Sequence, residues 1–121
     1  MFRIWCRSKI SNAKITGAEI EYEGSITIPA DIMKLAGILE GEQVHVLNMN
    51  NGERLETYVI EGKANSGEII LNGPAARRGI VGDKVVILQY AIGESKEVSV
   101  PKIIKLDEKN RPMKKTESKK R

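Results

Sequence analysis

Apolar and polar residues alternate along most of the chain, which is the pattern of half-buried β-strands. Asn51-Gly52 separates two of these segments and supplies the residues that a tight hairpin turn requires. Pro29 can open a short helix over 30–36, and Gly37 is a natural stop for it. A second short helix is predicted over 73–79, where glycines flank the segment. The alternation predicts strands over 2–10, 13–16, 18–22, 26–28, 44–48, 53–61, 68–72, 84–90 and 98–106.

Many short strands joined by short helical connections favour a mainly β protein, closed or nearly closed as a barrel of roughly six to eight strands. Aromatic residues make up only 4% of the 121 residues, while isoleucine, valine and leucine are plentiful. Branched aliphatic side chains of this kind fill the interior of a small barrel. The length predicts a single domain. We place that β-barrel domain at 1–106, followed by a polar, basic and flexible C-terminal tail at 107–121.

The net charge of +4 is located mainly at the C-terminal end. Of the 20 lysines and arginines, ten lie in Glu94–Arg121, together with five of the 16 acidic residues. The other ten basic and eleven acidic residues leave the rest of the chain with a net charge of −1. A basic run at a terminus is usually a solvated end, so the charge does not by itself predict nucleic-acid binding.

The sequence has one cysteine, one histidine and no long apolar run, which argues against disulfides, metal sites and membrane spans. Cys6 is the single cysteine and cannot form a disulfide within the chain, and no metal-ligand spacing exists around it or around the single His45. We therefore expect no metal. No apolar run approaches the length of a membrane span, and the N-terminus lacks a signal-peptide pattern. These observations predict a cytoplasmic protein.

The most reactive arrangement that the sequence offers is Gly24-Ser25, between two alternating segments. A serine hydroxyl can attack the carbonyl of its own preceding peptide bond if the backbone is held in a strained turn, and glycine tolerates such a turn at the least steric cost. The attack is an N-to-O acyl shift. Elimination from the resulting ester, followed by hydrolysis, leaves a pyruvoyl group at a new N-terminus. The pair therefore predicts self-cleavage that creates an electrophile.

The Gly24-Ser25 pair, and the polar residues Arg54 and Tyr58 on a later predicted strand, also have a purely structural interpretation. An isolated Gly-Ser pair is most often an ordinary turn. Arg54 and Tyr58 share one face of the 53–61 strand and are explained equally well as half-exposed strand residues. The wider arrangement of residues along the chain distinguishes the two interpretations.

A set of residues in one order and spacing resembles the pyruvoyl-dependent aspartate decarboxylase family over nearly the whole chain. The matching residues are Lys9, Tyr22-Glu23-Gly24-Ser25, Asn51-Gly52-Glu53-Arg54, Thr57-Tyr58, Asn72-Gly73, Ala75-Ala76 and Gly82-Asp83. The resemblance implies a double-psi β-barrel, assembled as a homotetramer with active sites between neighbouring subunits. It also implies that L-aspartate is decarboxylated to β-alanine and carbon dioxide for pantothenate biosynthesis, with a covalent pyruvoyl cofactor derived from Ser25.

The resemblance implies a role for each matched residue. The pyruvoyl ketone forms a Schiff base with the substrate amine, and Tyr58 donates a proton to the carbanion that remains after carbon dioxide leaves. Arg54 binds a substrate carboxylate through its planar guanidinium, and Lys9 adds a second positive charge. Thr57 hydrogen-bonds the Gly24 carbonyl during self-processing and contacts substrate afterwards. The remaining substrate-binding residues are Asn72, Gly73, Pro74 and Ala75.

Several questions stay open at the level of sequence. Ser11-Asn12 stands where the family commonly has His-Arg, and Leu47 replaces a frequent tryptophan, which leaves the shape of the pocket floor undetermined. The sequence also leaves open whether cleavage is spontaneous or requires a maturation helper protein, and how strictly aspartate is preferred over glutamate.

A rival interpretation comes from another class of protein. The strand, proline, helix and glycine order from Gly24 to Gly41 also resembles the swapped-hairpin transcription regulators, which bind DNA. DNA contacts need clustered arginine and lysine, because phosphate neutralisation supplies most of the affinity. Residues 15–52, which include this segment, contain a single lysine, Lys34, and no arginine. A DNA-binding module is thus the weaker alternative, and an uncleaved, inactive relative with a structural role is a third.

Overall fold

The computed structural model describes residues 1–97 and 100–114 of the chain. Within these residues, α1 spans Ala30–Ala36, and two short 3₁₀ helices span Gly73–Arg77 and Ser95–Glu97. The strands are β1 (Phe2–Lys14), β2 (Gly17–Glu19), β3 (Ser25–Pro29), β4 (Gln43–Asn48), β5 (Arg54–Gly62), β6 (Ile70–Asn72), β7 (Lys84–Glu94) and β8 (Lys102–Lys105). The predicted mainly β fold with short connecting helices is confirmed.

The eight strands form one mixed sheet with the order β2-β6-β3-β5-β4-β7-β1-β8. β2 is the first strand in this order and β1 is the last but one. Only two residues join them, because β1 ends at Lys14 and β2 begins at Gly17. Between them, Thr16 donates its backbone N–H to the Ile69 carbonyl at 2.8 Å. The sheet therefore curves back on itself as a barrel. The pairs β1/β8, β2/β6 and β3/β5 are parallel and the others antiparallel, in agreement with the double-psi β-barrel that the resemblance implies.

One hydrophobic core fills the barrel. Its side chains come from six of the strands, from α1, from the 3₁₀ helix Gly73–Arg77 and from the connections between elements, and they form a single contiguous cluster. Burial of each large aliphatic side chain contributes roughly 1.5–3 kcal/mol, which makes this cluster the main source of stability. The fully buried members with the largest volumes are Ile10, Ile15, Ile26, Ile28, Ile32, Ile69, Leu71, Ile87 and Leu106.

The short helix and the hairpin turn form where the sequence predicts them. Pro29 precedes α1 with φ −58°, the value that the proline ring imposes. Gly37 ends α1 at φ 77° and donates its N–H to the Met33 carbonyl at 2.9 Å. In the β4–β5 hairpin, Gly52 has φ 78° and donates its N–H to the Asn48 carbonyl at 3.0 Å.

The N-terminal strand is longer than predicted. β1 joins the segment predicted as 2–10 to the first two residues of the segment predicted as 13–16, because β-bulges before Ser8 and around Asn12 absorb the breaks in alternation. Asn12 has φ 61°, a conformation that asparagine adopts more readily than most residues, and its Nδ2 donates to the Leu106 carbonyl at 2.7 Å. The unusual Asn12 therefore has a structural explanation.

The C-terminal segment corrects the predicted start of the tail. Residues 107–113 turn back against the barrel, and the Met113 N–H donates to the Lys105 carbonyl at 2.8 Å. Asn110 is 2% exposed; its side chain accepts the Lys14 N–H and donates to the carbonyls of Lys14 and Gly67, each at 2.8 Å. The predicted boundary at 106 is too early, because Asn110 pairs backbone groups of the barrel. Residues 98–99 and 115–121, which carry parts of the last predicted strand and of the tail, lie outside the described residues.

Two carboxylates of this turn have lowered pKa values. Asp107 accepts the backbone N–H groups of Arg111 at 2.9 Å and Lys109 at 2.8 Å, and these bonds lower its pKa. Hydrogen bonds from two lysine side chains lower the pKa of Glu108. Both groups contribute stability that is present above their ordinary pKa values and is lost as the pH falls through the lowered values.

Replacement of Asn110 tests the contribution of this turn. Asn110→Gly should lower the free energy of unfolding by about 1–3 kcal/mol, because three buried or partly buried backbone groups lose their hydrogen bonds while the positive φ stays accessible. Asn110→Ala should cost about 1–2 kcal/mol more, since alanine disfavours φ 58°. Urea unfolding measures both values. A stability of Asn110→Gly equal to that of the exposed control Lys109→Ala would contradict the assignment.

Candidate active site

Ser25 is the first residue of β3 and is completely buried. Gly24 precedes it in the link between β2 and β3, and Asn72 of β6 lies opposite Ser25 in the antiparallel β3/β6 pair. The next β3 residue, Ile26, is also fully buried in the core. The strand register therefore fixes the Gly24-Ser25 junction against β6.

The Ser25 hydroxyl has a hydrogen-bond partner on each side. It donates to the backbone carbonyl of Glu23 at 3.0 Å and accepts a bond from Asn72 Nδ2 at 3.0 Å. The same nitrogen of Asn72, which is 2% exposed, donates to Thr27 Oγ1 at 2.9 Å. Both N–H groups of the amide are used, so the orientation of the Ser25 hydroxyl is fixed.

Gly73 packs directly against the turn that carries the Gly24-Ser25 junction. It has φ +62°, and a Cβ added there would lie 2.5 Å from the Tyr22 carbonyl oxygen and 2.7 Å from the Gly24 nitrogen. A Cβ on Gly24 would lie 3.2 Å from Pro74 Cδ. The close approach of these backbones requires glycine at 73 and leaves the turn little freedom to relax.

A cavity of about 690 Å³ borders Gly24 and brings together most of the predicted site residues. One wall is the first half of β5 and the other is the segment after β6. Ser25, Asn72 and Gly73 are buried beside it. The lining residues are Gly24, His45, Arg54, Leu55, Glu56, Thr57, Tyr58, Pro74, Ala75 and Arg78.

The β5 wall differs from the prediction in one respect. Alternation places Arg54 and Tyr58 on one face of the strand and Thr57 on the other, yet all residues from 54 to 58 line the cavity. The reason is strand pairing: β4 pairs with β5 from Arg54 to Tyr58, whereas β3 pairs with it only from Val59 onwards. The first half of β5 thus has one free edge, and a cavity along an edge contacts side chains of both faces.

Tyr58 has a contact that the sequence analysis missed. Tyr58 is 37% exposed, and its hydroxyl donates a hydrogen bond to Glu23 Oε1 at 3.4 Å. Glu23 immediately precedes Gly24, so its position in the sequence was a signal, but only the folded turn shows that its carboxylate reaches Tyr58. Among the described residues, Thr57 makes no hydrogen bond to the Gly24 carbonyl, although both residues line the cavity.

The cavity contains two guanidinium groups. Arg54 forms no ion pair with any described residue. Arg78, also missed by the sequence analysis, forms an ion pair with Glu53 at 2.9 Å and donates to the Arg54 carbonyl at 3.1 Å. The Nε2 atom of His45 lies 4.0 Å from Oε2 of Glu56, and both residues line the cavity. The Arg54 guanidinium is therefore available for a ligand.

Lys9 is not brought to this cavity. It lies on β1, paired with Leu88 of β7 and Ile103 of β8, and it does not line the cavity of its own chain. The positions that depart from the family pattern, Ser11, Asn12 and Leu47, do not line it either.

Between residues 1 and 97 and between 100 and 114, no cluster of three or more His, Cys, Asp or Glu side chains is placed to hold a metal ion. No helix in these ranges has the length and apolar character needed to cross a membrane.

Comparison with known proteins agrees with the geometry. The profile of the aspartate decarboxylase family matches residues 1–113. The chain is 55% identical over 115 residues to the aspartate 1-decarboxylase of Kosmotoga olearia, covering 95% of this chain and 100% of that protein. It is 50% identical over 112 residues to the aspartate 1-decarboxylase of Leptospira biflexa, covering 90% and 95%.

Two further matches are more distant in coverage or in sequence. The aspartate 1-decarboxylase of Dehalococcoides mccartyi is 53% identical over 107 residues, covering 87% of this chain and 86% of that protein. The crystal structure of a rationally designed protein, mkDPBB_sym_86, has a TM-score of 0.48 and 17% identity, and covers 65% of this chain and 91% of that one. These comparisons give no support to the DNA-binding alternative. With the family profile spanning residues 1–113 and relatives at 50% identity or more over nearly all of the chain, this protein belongs to the aspartate decarboxylase family, a family of carboxy-lyases.

Proposed function

We propose that the chain cuts itself between Gly24 and Ser25 and then decarboxylates L-aspartate to β-alanine and carbon dioxide, supplying β-alanine for pantothenate biosynthesis. One observation carries this proposal. A buried serine, with its hydroxyl held by hydrogen bonds, follows a glycine that lines the same cavity as Arg54 and Tyr58.

The geometry of Ser25 supports the first step of self-processing. Its hydroxyl hydrogen points to the Glu23 carbonyl, so a lone pair on Oγ is available for attack on the Gly24 carbonyl carbon. The C–N bond breaks, the Ser25 nitrogen takes up a proton, and Gly24 becomes esterified to Oγ. Loss of the Cα proton and of the Gly24 carboxylate then leaves dehydroalanine. Addition of one water and loss of ammonia convert this residue to a pyruvoyl group.

The surroundings of Ser25 fit the group that would replace it. Asn72 Nδ2 lies 3.0 Å from Oγ and is a suitable donor to an oxygen atom held at this position. When present, a pyruvoyl group supplies a carbonyl that withdraws electrons from the substrate Cα. The tight packing of Gly73 against the turn keeps this position next to the cavity.

Arg54 and Tyr58 are placed to bind and protonate the substrate. The Arg54 guanidinium is free of ion pairs among the described residues and can hold a substrate carboxylate through two parallel hydrogen bonds. The phenolic O–H of Tyr58 is a proton donor beside the cavity, so Tyr58 can protonate Cα as a general acid after carbon dioxide leaves. Thr57, Pro74 and Ala75 complete the walls around the substrate.

Assembly as a homotetramer is part of the proposal. Phe2, Ile4 and Ile92 are 67%, 72% and 74% exposed, and Ile4 pairs with Ile92 across β1 and β7, so an apolar surface lies at this end of the sheet. Lys9 does not reach the cavity of its own chain, and it would contact substrate only in the cavity of a neighbouring subunit. Both observations support active sites shared between subunits.

Intact-mass spectrometry of the purified chain tests the function. Under denaturing conditions we expect two fragments, Met1–Gly24 and a second that begins with a pyruvoyl group in place of Ser25, together with conversion of aspartate to β-alanine. Incubation of purified protein alone and with a cell extract distinguishes spontaneous cleavage from cleavage that needs a helper protein. A single unbroken mass after both incubations, or cleaved protein without β-alanine formation, would contradict the proposal.

A further inference from the structure

Arg78 bonds the two walls of the cavity to each other. It directly follows the 3₁₀ helix Gly73–Arg77, whose first residues pack against the Gly24 turn. Its backbone carbonyl accepts bonds from Asn48 Nδ2 at 3.1 Å and Asn51 Nδ2 at 3.0 Å, both in the β4–β5 hairpin. The backbone of Arg78 is thereby fixed to β4 and to the turn that leads into β5, the strand of the other wall.

The side chain of Arg78 returns to the same hairpin. Its Nη1 donates to Glu53 Oε1 at 2.9 Å and to the Arg54 carbonyl at 3.1 Å. The second bond uses a backbone acceptor on the free edge of β5, at the residue whose guanidinium lines the cavity. Loss of the Arg78 side chain would therefore remove a hydrogen bond from the backbone of Arg54.

The ion pair with Arg78 also determines where the Glu53 carboxylate lies. Glu53 precedes Arg54 in sequence, and it is bound to Arg78 rather than to Arg54. Without the Arg78 guanidinium, Glu53 would lose this partner, and its negative charge would compete with a carboxylate ligand for Arg54. Arg78 and Glu53 side chains are 48% and 47% exposed, so the electrostatic effect is reduced by solvent and is expected to be moderate.

We propose that Arg78 is a positioning residue for substrate binding: it holds the Arg54 backbone and keeps the Glu53 carboxylate away from the Arg54 guanidinium. The inference rests on the proposed function, because it assumes that Arg54 binds a substrate carboxylate. It predicts an effect on the binding of carboxylates and little effect on the steps that involve Ser25 or Tyr58.

A matched pair of variants tests this inference. Arg77→Ala and Arg78→Ala remove the same charge from neighbouring residues, but Arg77 does not line the cavity and forms no ion pair among the described residues. Arg78→Ala should raise KM for aspartate and the Kd of succinate by roughly tenfold, with kcat and the extent of cleavage within about twofold of the wild type. Arg77→Ala should change all four quantities by less than about twofold.

Two further variants separate the parts of the proposed role. Arg78→Lys keeps a charged donor and should restore most of the succinate affinity. Addition of Glu53→Gln to Arg78→Ala should recover part of the lost affinity, because the competing carboxylate is then absent. Arg78→Gln, which keeps a donor for the Arg54 carbonyl, serves in place of Arg78→Ala if that variant does not fold.

Succinate binding, measured by calorimetry, does not depend on turnover. The variants could bind succinate with the predicted order of affinities while the wild-type protein forms no β-alanine. That result would contradict the proposed function and support the role of Arg78. Equal succinate affinities for Arg78→Ala and Arg77→Ala would overturn the role of Arg78 whether or not aspartate is decarboxylated. In an active enzyme, a fall in kcat at unchanged KM would overturn it as well.

Discussion

Ser25→Ala is expected to remain a single folded chain with no decarboxylase activity. The substitution removes the hydroxyl that attacks the Gly24 carbonyl, so no electrophile forms and turnover should fall by at least roughly 10⁴-fold. The buried Asn72 amide loses one of its two acceptors but keeps its bond to Thr27 Oγ1 at 2.9 Å. Stability should therefore decrease by only about 1–3 kcal/mol. Intact-mass spectrometry and β-alanine detection measure the two effects.

Thr27→Val is the matched control for this variant. It removes the other hydroxyl that accepts a bond from Asn72, at a similar cost in stability, but it leaves the proposed nucleophile in place. Thr27→Val should therefore still be cleaved. Cleavage of Ser25→Ala, or equal loss of cleavage in the two variants, would show that the hydroxyl of Ser25 is not the nucleophile.

Tyr58→Phe should form β-alanine at least roughly a hundredfold more slowly while still being cleaved normally. The ring stays in place, but the proton for the substrate Cα is lost, which is the expected size of effect when a general acid is removed. The Tyr58 bond to Glu23 is long at 3.4 Å, so its loss should disturb the Gly24 turn little. The cleaved fraction by mass and the rate of β-alanine formation test the two statements separately.

Thr57→Val provides the contrasting case on the same strand. We propose that the Thr57 hydroxyl approaches the Gly24 carbonyl during self-processing, since both residues line the cavity. Its loss should block cleavage and leave an intact chain. If Tyr58→Phe failed to be cleaved while Thr57→Val was cleaved and active, the roles assigned to both residues would be wrong.

Local signals in the sequence were sufficient for the elements that depend on a few neighbouring residues. α1 lies over the predicted range because Pro29 and Gly37 each impose a backbone angle at its ends. β1 could not be delimited in this way, because its bulges depend on the register with β7 and β8, which lie far along the chain. The start of the tail was misplaced for a similar reason: the partners of Asn110 are Lys14 and Gly67.

The resemblance supplied residues that the fold places around one cavity, whereas other residues of the cavity wall carried no signal in the sequence. Gly24, Arg54 and Tyr58 line this cavity, and the roles assigned to them stay predictions. Arg78 carried no signal beyond being one of two adjacent arginines, since its contacts are with the β4–β5 hairpin, which lies more than 20 residues earlier in the chain. The free edge of β5 was also invisible in the sequence, because it depends on where β3 stops pairing. The Gly73 angle of +62° is a feature that only the fold explains.

The placement of β1 has a consequence for handling the protein. β1 lies wholly within Met1–Gly24, and it pairs with β7 and β8, which belong to the other fragment. The proposed cleavage would turn part of an intramolecular sheet into an association between two polypeptides, with the loss of the high effective concentration that the intact link provides. Refolding after denaturation would then be second order, and slow in dilute solution. The time for which the mature protein stays active would accordingly be set by its rate of unfolding, because a dissociated β1 is no longer covalently linked to the strands with which it pairs.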